Sequence, residues 1–154
     1  MKKTAIIFPG QGSQYIGMGQ ALVEQDPDAA SLMDLAEQIS SFPIRRLCFE
    51  GPMDDLTRVL YLQPALTAVN LLCWQQFCKR LPGFTPSFFA GHSLGEYAAV
   101  CTAGVFSLED GLKLVNDRSL EAHEEVVVAA VLEIGASETV ARGPGRKTRA
   151  RAAG

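Results

Sequence analysis

The chain has 154 residues, 47% of them hydrophobic and 20% charged, which is the size and make-up of one globular domain with a real core. Its net charge of −3 hides an uneven distribution: residues 142–154 hold five basic residues and no acidic one, leaving −8 on residues 1–141, and an acidic body argues against nucleic-acid binding. No apolar run approaches a membrane span, and the stretch from Met1 to Phe8 is too short for a signal-peptide core, so a cytoplasmic protein with no membrane partner is expected.

The first element is a strand at 4–8. It runs into Pro9-Gly10-Gln11-Gly12-Ser13-Gln14, a Gly-rich loop of the kind a first strand delivers to a sheet edge. The loop does not fit G-x-G-x-x-G, because only Gly10 and Gly12 match before Tyr15, and no Lys follows as in a phosphate-binding loop. It can aim a backbone N–H at a reacting oxygen, with Gln11 as the donor, or it can be an ordinary tight turn. Helices are expected near 17–24, with Gly17 and Gly19 at its start, and from Asp26-Pro27 to about Ser40, where a capping carboxylate precedes a first-turn proline. A short helical piece follows at 44–49, and Asp54-Asp55 opens another near 55–60. A long amphipathic helix covers 64–80, with Leu66, Val69, Cys73 and Phe77 on a face that reads as core.

A strand at 87–90 then leads to Gly91-His92-Ser93-Leu94-Gly95, which fits the G-x-S-x-G nucleophile elbow. Small residues on either side leave room for a sharp strand-to-helix turn with a strained serine at its apex. Ser93 is therefore the candidate nucleophile. The N–H groups of Leu94 and Gln11 are the candidate oxyanion donors. A Gly-rich turn capped by a serine is the alternative. Helices follow at 94–104 and 107–122, and a β-branched run gives a strand at 126–133. Residues 142–154 cannot bury enough surface to order themselves and form a basic tail. Parallel strands alternating with helices indicate an α/β sheet with sites at the carboxyl ends of its strands. The four cysteines, Cys48, Cys73, Cys78 and Cys101, lack C-x-x-C spacing and sit in apolar stretches. They are expected to be buried and reduced, with no metal site.

Phe-Pro-Gly-Gln-Gly-Ser-Gln at 8–14, Gln-Pro-Ala-Leu at 63–66 and Gly-His-Ser-Leu-Gly-Glu at 91–96, in this order and spacing, resemble the malonyl-CoA:acyl-carrier-protein transacylases, a family that includes the acyltransferase domains of polyketide synthases. The resemblance covers residues 3–122. It implies a three-layer α/β-hydrolase-like large subdomain, here residues 1–125 and incomplete, into which a ferredoxin-like subdomain is inserted, its start at 126–141. It implies malonyl-CoA as substrate, acyl carrier protein as acceptor, no cofactor and a ping-pong reaction through an acyl-serine. Arg118, 25 residues after Ser93, falls where the family places the arginine that pairs with the malonyl carboxylate. His92 is grouped with Arg118 on the substrate side and is expected to pack or hydrogen-bond beneath the turn, because adjacent side chains point apart. The family's general base is a histidine about a hundred residues past the serine. This chain has only His92 and His123, so the base is expected to be missing and activity impaired. A serine hydrolase or thioesterase, and a non-catalytic fragment, are the competing readings.

Overall fold

The computed structural model describes residues 3–121 and 132–133. In chain order the elements are β1 (Ala5–Phe8), α1 (Gln20–Gln25), α2 (Pro27–Ser40), α3 (Ile44–Glu50), α4 (Met53–Leu56), α5 (Val59–Arg80), β2 (Phe88–Gly91), α6 (Gly95–Thr102), α7 (Leu108–Glu121) and β3 (Leu132–Glu133). β1 and β2 pair in parallel, Ala5 opposite Phe88 and Phe8 opposite Gly91. The period of two puts Ile6, Phe8 and Phe89 on one face, packed into the core, and leaves Ala5 and Ile7 exposed on the other, Ile7 at 71%.

The core is helical. Met33 of α2, Ile44 of α3, Leu62, Leu71 and Leu72 of α5, and Leu112 and Val115 of α7 are all buried to within 1%. α5 is its axis. Every residue from Leu62 to Leu72 is buried, so the single apolar face expected there is replaced by burial all round, and Cys73 and Cys78 point out instead. Trp74 meets Phe89 of β2 edge to face, with ring centroids 4.9 Å apart.

Other boundaries differ for local reasons. α1 starts at Gln20, not Gly17, because Gly17 and Gly19 have φ of 94° and 78°. The helix expected near 55–60 divides at Arg58, which is extended, and α5 begins at Val59 with Pro64 inside it. Interior proline costs about 3 kcal/mol. Burial of Leu62 and of the turn around it offsets that cost. β3 runs antiparallel to β2, Phe89 opposite Leu132, so the all-parallel expectation holds for β1 and β2 alone. The expectations for the rest of 126–141, for the tail 142–154 and for His123 lie outside the described residues. Cys48 and Cys101 are buried thiols as expected. Burial pushes Cys48 up to about 12 and Cys101 up to about 11, so neither is a thiolate at neutral pH. Cys73 and Cys78 correct the same expectation, since both are exposed on the last turns of α5.

One polar cluster ties α2 to α5. Asp26 caps α2 by accepting from the N–H of Asp28 at 2.9 Å. It also accepts from Gln76 and from Lys79, whose Nζ lies 2.5 Å from Asp26 and 2.6 Å from Asp28. The Lys79 ammonium, then Gln76 and the Asp28 N–H, hold the Asp26 carboxyl down at about 2, against an ordinary 3.8. A depressed carboxylate contributes stability that is full above its ordinary value and fades as pH falls toward its folded value. Asp26→Asn keeps a good cap but loses the charge. It is expected to lower the urea midpoint at neutral pH and to flatten the loss of stability between about pH 4 and pH 2. A variant as acid-sensitive as the parent chain would contradict this.

Candidate active site

The site is assembled where β1 and β2 end side by side. Pairing continues one residue past the strands, because the His92 N–H donates to the Phe8 carbonyl at 3.0 Å. The chain then turns. Ser93 has φ of 52°, a left-handed conformation unusual for serine, and α6 begins two residues later. Gly95 N–H donates to the His92 carbonyl and Glu96 N–H to the Ser93 carbonyl, both at 3.0 Å, which closes the elbow. The side chains missing from this junction explain its motif. A Cβ on Gly91 would lie 2.1 Å from the Gly95 carbonyl carbon, one on Gly95 2.2 Å from the Phe8 oxygen, and one on Gly10 2.3 Å from the His92 oxygen. All three would strike backbone, which cannot move aside.

Two chain segments, each carrying one expected donor, are thereby locked together. Gly10, just before Gln11, lies against His92, just before Ser93. The Gly10 carbonyl accepts from the Ser13 N–H at 3.3 Å and from Ser13 Oγ at 2.8 Å. In a trans peptide C=O and N–H point opposite ways, so the Gln11 N–H is directed out of the loop. Neither the Gln11 N–H nor the Leu94 N–H has a hydrogen bond among the described residues. Leu94 also stands at the start of α6, where free donors and the helix dipole favour negative charge. Both N–H groups are thus free to serve as the candidate oxyanion donors.

Ser93 and His92 are both exposed. His92 therefore does not sit beneath the turn; its ring lies beside the loop, Nδ1 3.0 Å from where a Gly10 Cβ would be. Arg118 is half-buried in the last turn of α7, its Cζ 5.4 Å from the ring centroid of Tyr97 on α6. Tyr97 follows Ser93 by four residues, so the ring connects the arginine to the helix that starts at the nucleophile. Arg118 has no carboxylate partner among the described residues. Its guanidinium is thus held near an aromatic ring and not by a carboxylate. No group of residues that could hold a metal occurs among the described residues, and no helix there is long and apolar enough to cross a membrane.

Sequence reasoning missed two supports. One is Tyr97. The other is Asn70 of α5, which is buried and donates to the Pro9 carbonyl at 3.0 Å. The available signal was the polar series Gln63, Thr67 and Asn70, spaced four and three residues apart within an otherwise apolar helix. Gln63 Oε1 and Thr67 Oγ1 of that series are buried without a partner.

The close backbone approach is testable without any substrate. Gly95→Ala is expected to destabilise the chain by roughly 1–3 kcal/mol or more, as overpacking against immovable atoms does. Gly12 has φ of 98° and open space around it, so Gly12→Asn should cost only about 1 kcal/mol or less. Equal shifts of the two variants in urea denaturation would contradict the packing argument.

Residues 5–143 match the family described as the acyl transferase domain. A malonyl CoA-acyl carrier protein transacylase of Bacillus subtilis strain 168 is 41% identical over 141 residues, covering 88% of this chain and 44% of the relative. Among solved structures, the malonyl CoA-acyl carrier protein transacylase of Burkholderia pseudomallei superposes with a TM-score of 0.70 at 44% identity, over 77% of this chain and 40% of that one. A structure of a type II polyketide synthase acyl-carrier protein in complex with its malonyl-transacylase matches with a TM-score of 0.71 at 35% identity, over 80% of this chain and 41% of the other. The chain thus spans less than half the length of these relatives and shares their acyltransferase fold over most of its own. With the elbow, the facing loop and a match across nearly the whole sequence in agreement, the chain belongs to the acyl transferase domain family.

Proposed function

We propose that this chain carries the nucleophile, the oxyanion donors and the carboxylate clamp for moving a malonyl group from malonyl-CoA to the phosphopantetheine thiol of an acyl carrier protein. The observation that carries this reading is the left-handed Ser93 at the strand-to-helix turn, flanked by the unbonded N–H groups of Leu94 and the Gln11 loop. Resemblance to malonyl transacylases of known structure supports it.

In the proposed reaction, Ser93 Oγ attacks the thioester carbonyl carbon. A C–O bond forms, the hydroxyl proton leaves to a base, and the carbonyl oxygen takes the negative charge. Leu94 and Gln11 stabilise that charge with fixed donors. Collapse breaks the C–S bond, the base returns its proton to the departing sulfur, and coenzyme A leaves as the thiol. The carrier thiol then gives its proton to the base and attacks the acyl-serine carbonyl; the C–O bond breaks, malonyl leaves on the carrier sulfur, and Ser93 Oγ regains the proton. Arg118 binds the free malonyl carboxylate through its planar fork, which acetyl cannot engage. Malonyl-CoA is a substrate in this scheme, and no cofactor takes part. A hydrolase reading would send water to the acyl-serine instead, and a carboxylate clamp gives that reaction no advantage.

Intact mass after incubation with malonyl-CoA, with and without carrier protein, is the deciding measurement. A malonyl adduct that disappears in Ser93→Ala and moves to the carrier thiol is expected. Adduct loss at the same rate without carrier would favour hydrolysis, and no adduct at all would favour a purely binding role. Arg118→Ala should raise the half-saturating malonyl-CoA concentration by roughly 10- to 100-fold and leave acetyl-CoA nearly unaffected, the range set by a charge-assisted hydrogen bond.

The 154-residue polypeptide on its own has two imidazoles, His92 and His123. Neither falls at the sequence position that the resemblance implies for the family's base. A positioned base contributes typically 10²–10⁴-fold, and the parts of such a site act as a unit. Malonyl transfer by this polypeptide alone is therefore expected to be at least ~10³-fold slower than by a longer relative. Transfer at a relative's rate would overturn this expectation, and loss of that rate in His123→Ala would then identify the base.

A further inference from the structure

We infer that Asn70 is a positioning residue for the Gln11 oxyanion donor, an inference that rests on the acyl-transfer reading above. Asn70 projects from the buried middle of α5 and is 5% exposed. Its Nδ2 donates to the Pro9 carbonyl at 3.0 Å, a contact between residues 61 apart. That carbonyl has no other donor among the described residues, and it is wedged against α6, 2.7 Å from where a Gly95 Cβ would be. Two consecutive peptide units before the Gln11 side chain are thus held from different directions: the Pro9 carbonyl by Asn70, and the Gly10 carbonyl by Ser13. Between them lies Gly10, the residue with most rotational freedom. Without the Asn70 donor, the Pro9–Gly10 peptide can turn its carbonyl toward another donor, and that rotation re-aims the Gln11 N–H.

The test uses the full 154-residue chain with Asn70→Ala and the isosteric Asn70→Asp, which offers no donor when ionised. The hydrogen-bonded loop amides, Gly12 and Ser13, should exchange roughly tenfold faster than in the parent, while α2 and α7 exchange unchanged, as local rather than global opening requires. Ser93 malonylation at saturating malonyl-CoA should fall roughly 10- to 100-fold, less than or equal to the loss of one oxyanion donor, with the half-saturating concentration held within about twofold. In Asn70→Asp the loop exchange should return toward the parent's, compared at equal pH, as acid protonates the carboxyl and restores a donor. Loop exchange in both variants equal to the parent's would overturn the inference. So would faster exchange throughout the chain, which would make Asn70 only a core residue. If the parent chain itself gives no Ser93-dependent adduct, the acyl-transfer reading fails, and loop exchange alone still decides whether Asn70 positions the loop.

Discussion

Three missing side chains hold this site together. Gly10, Gly91 and Gly95 let the ends of two parallel strands and the start of a helix come within backbone contact. The Phe8 carbonyl is central: it receives the His92 N–H and abuts Gly95. A Cβ on Gly10 or Gly95 would push the segment leading into Gln11 away from the elbow, and one on Gly91 would push away the start of α6. The proposed reaction needs two N–H groups to converge on one oxygen, so for it a displacement of an ångström there would be chemically large.

The remaining structure is organised to keep that junction in place. α5 runs through the middle and reaches the site from behind, through Asn70 to Pro9 and through Trp74 to Phe89. Its C-terminal turns are fastened to α2 by Asp26, Gln76 and Lys79. α7 approaches from the other side, packs on the same core through Leu112 and Val115, and delivers Arg118 onto the Tyr97 ring. Ser93, the Gln11 loop and Arg118 thus come from different parts of the chain but share one helical support.

Much of this was legible in the residues. The strand at 5–8, the Asp26 cap with Pro27 behind it, and the elbow at 91–95 are set by local chemistry, and each formed where that chemistry put it. The errors arose where tertiary packing overrides local preference. Pro64 looked like a helix start, yet burial of Leu62 extends α5 five residues earlier. Cys73 and Cys78 looked like core by composition, but the surrounded part of α5 ends at Leu72 apart from Gln76. His92 looked as if it belonged beneath the turn, but its side chain is exposed and its ring lies beside Gly10. Asn70 and Tyr97 could not be assigned from sequence, because their importance lies in which distant group each one touches.

Ser93 owes its conformation to partners far away along the chain. Each β1–β2 pair joins residues 83 apart, and the Phe8 and Pro9 carbonyls that seat the elbow come from the same distant segment. α2 and α5 need only shorter-range contacts to form, whereas β1 meets β2 only after a long loop has closed. A strained left-handed serine has no reason to persist before that docking. While the polypeptide is being synthesised, its first strand emerges early and must wait for residues 88–95. Until they arrive, Ser93 is an ordinary hydroxyl in a flexible chain. In the proposed acyl-transfer reading, reactivity toward thioesters would therefore be switched on late in folding, by the same docking that seats the elbow against the Phe8 and Pro9 carbonyls, and an unfinished chain would have no site with which to squander activated acyl groups.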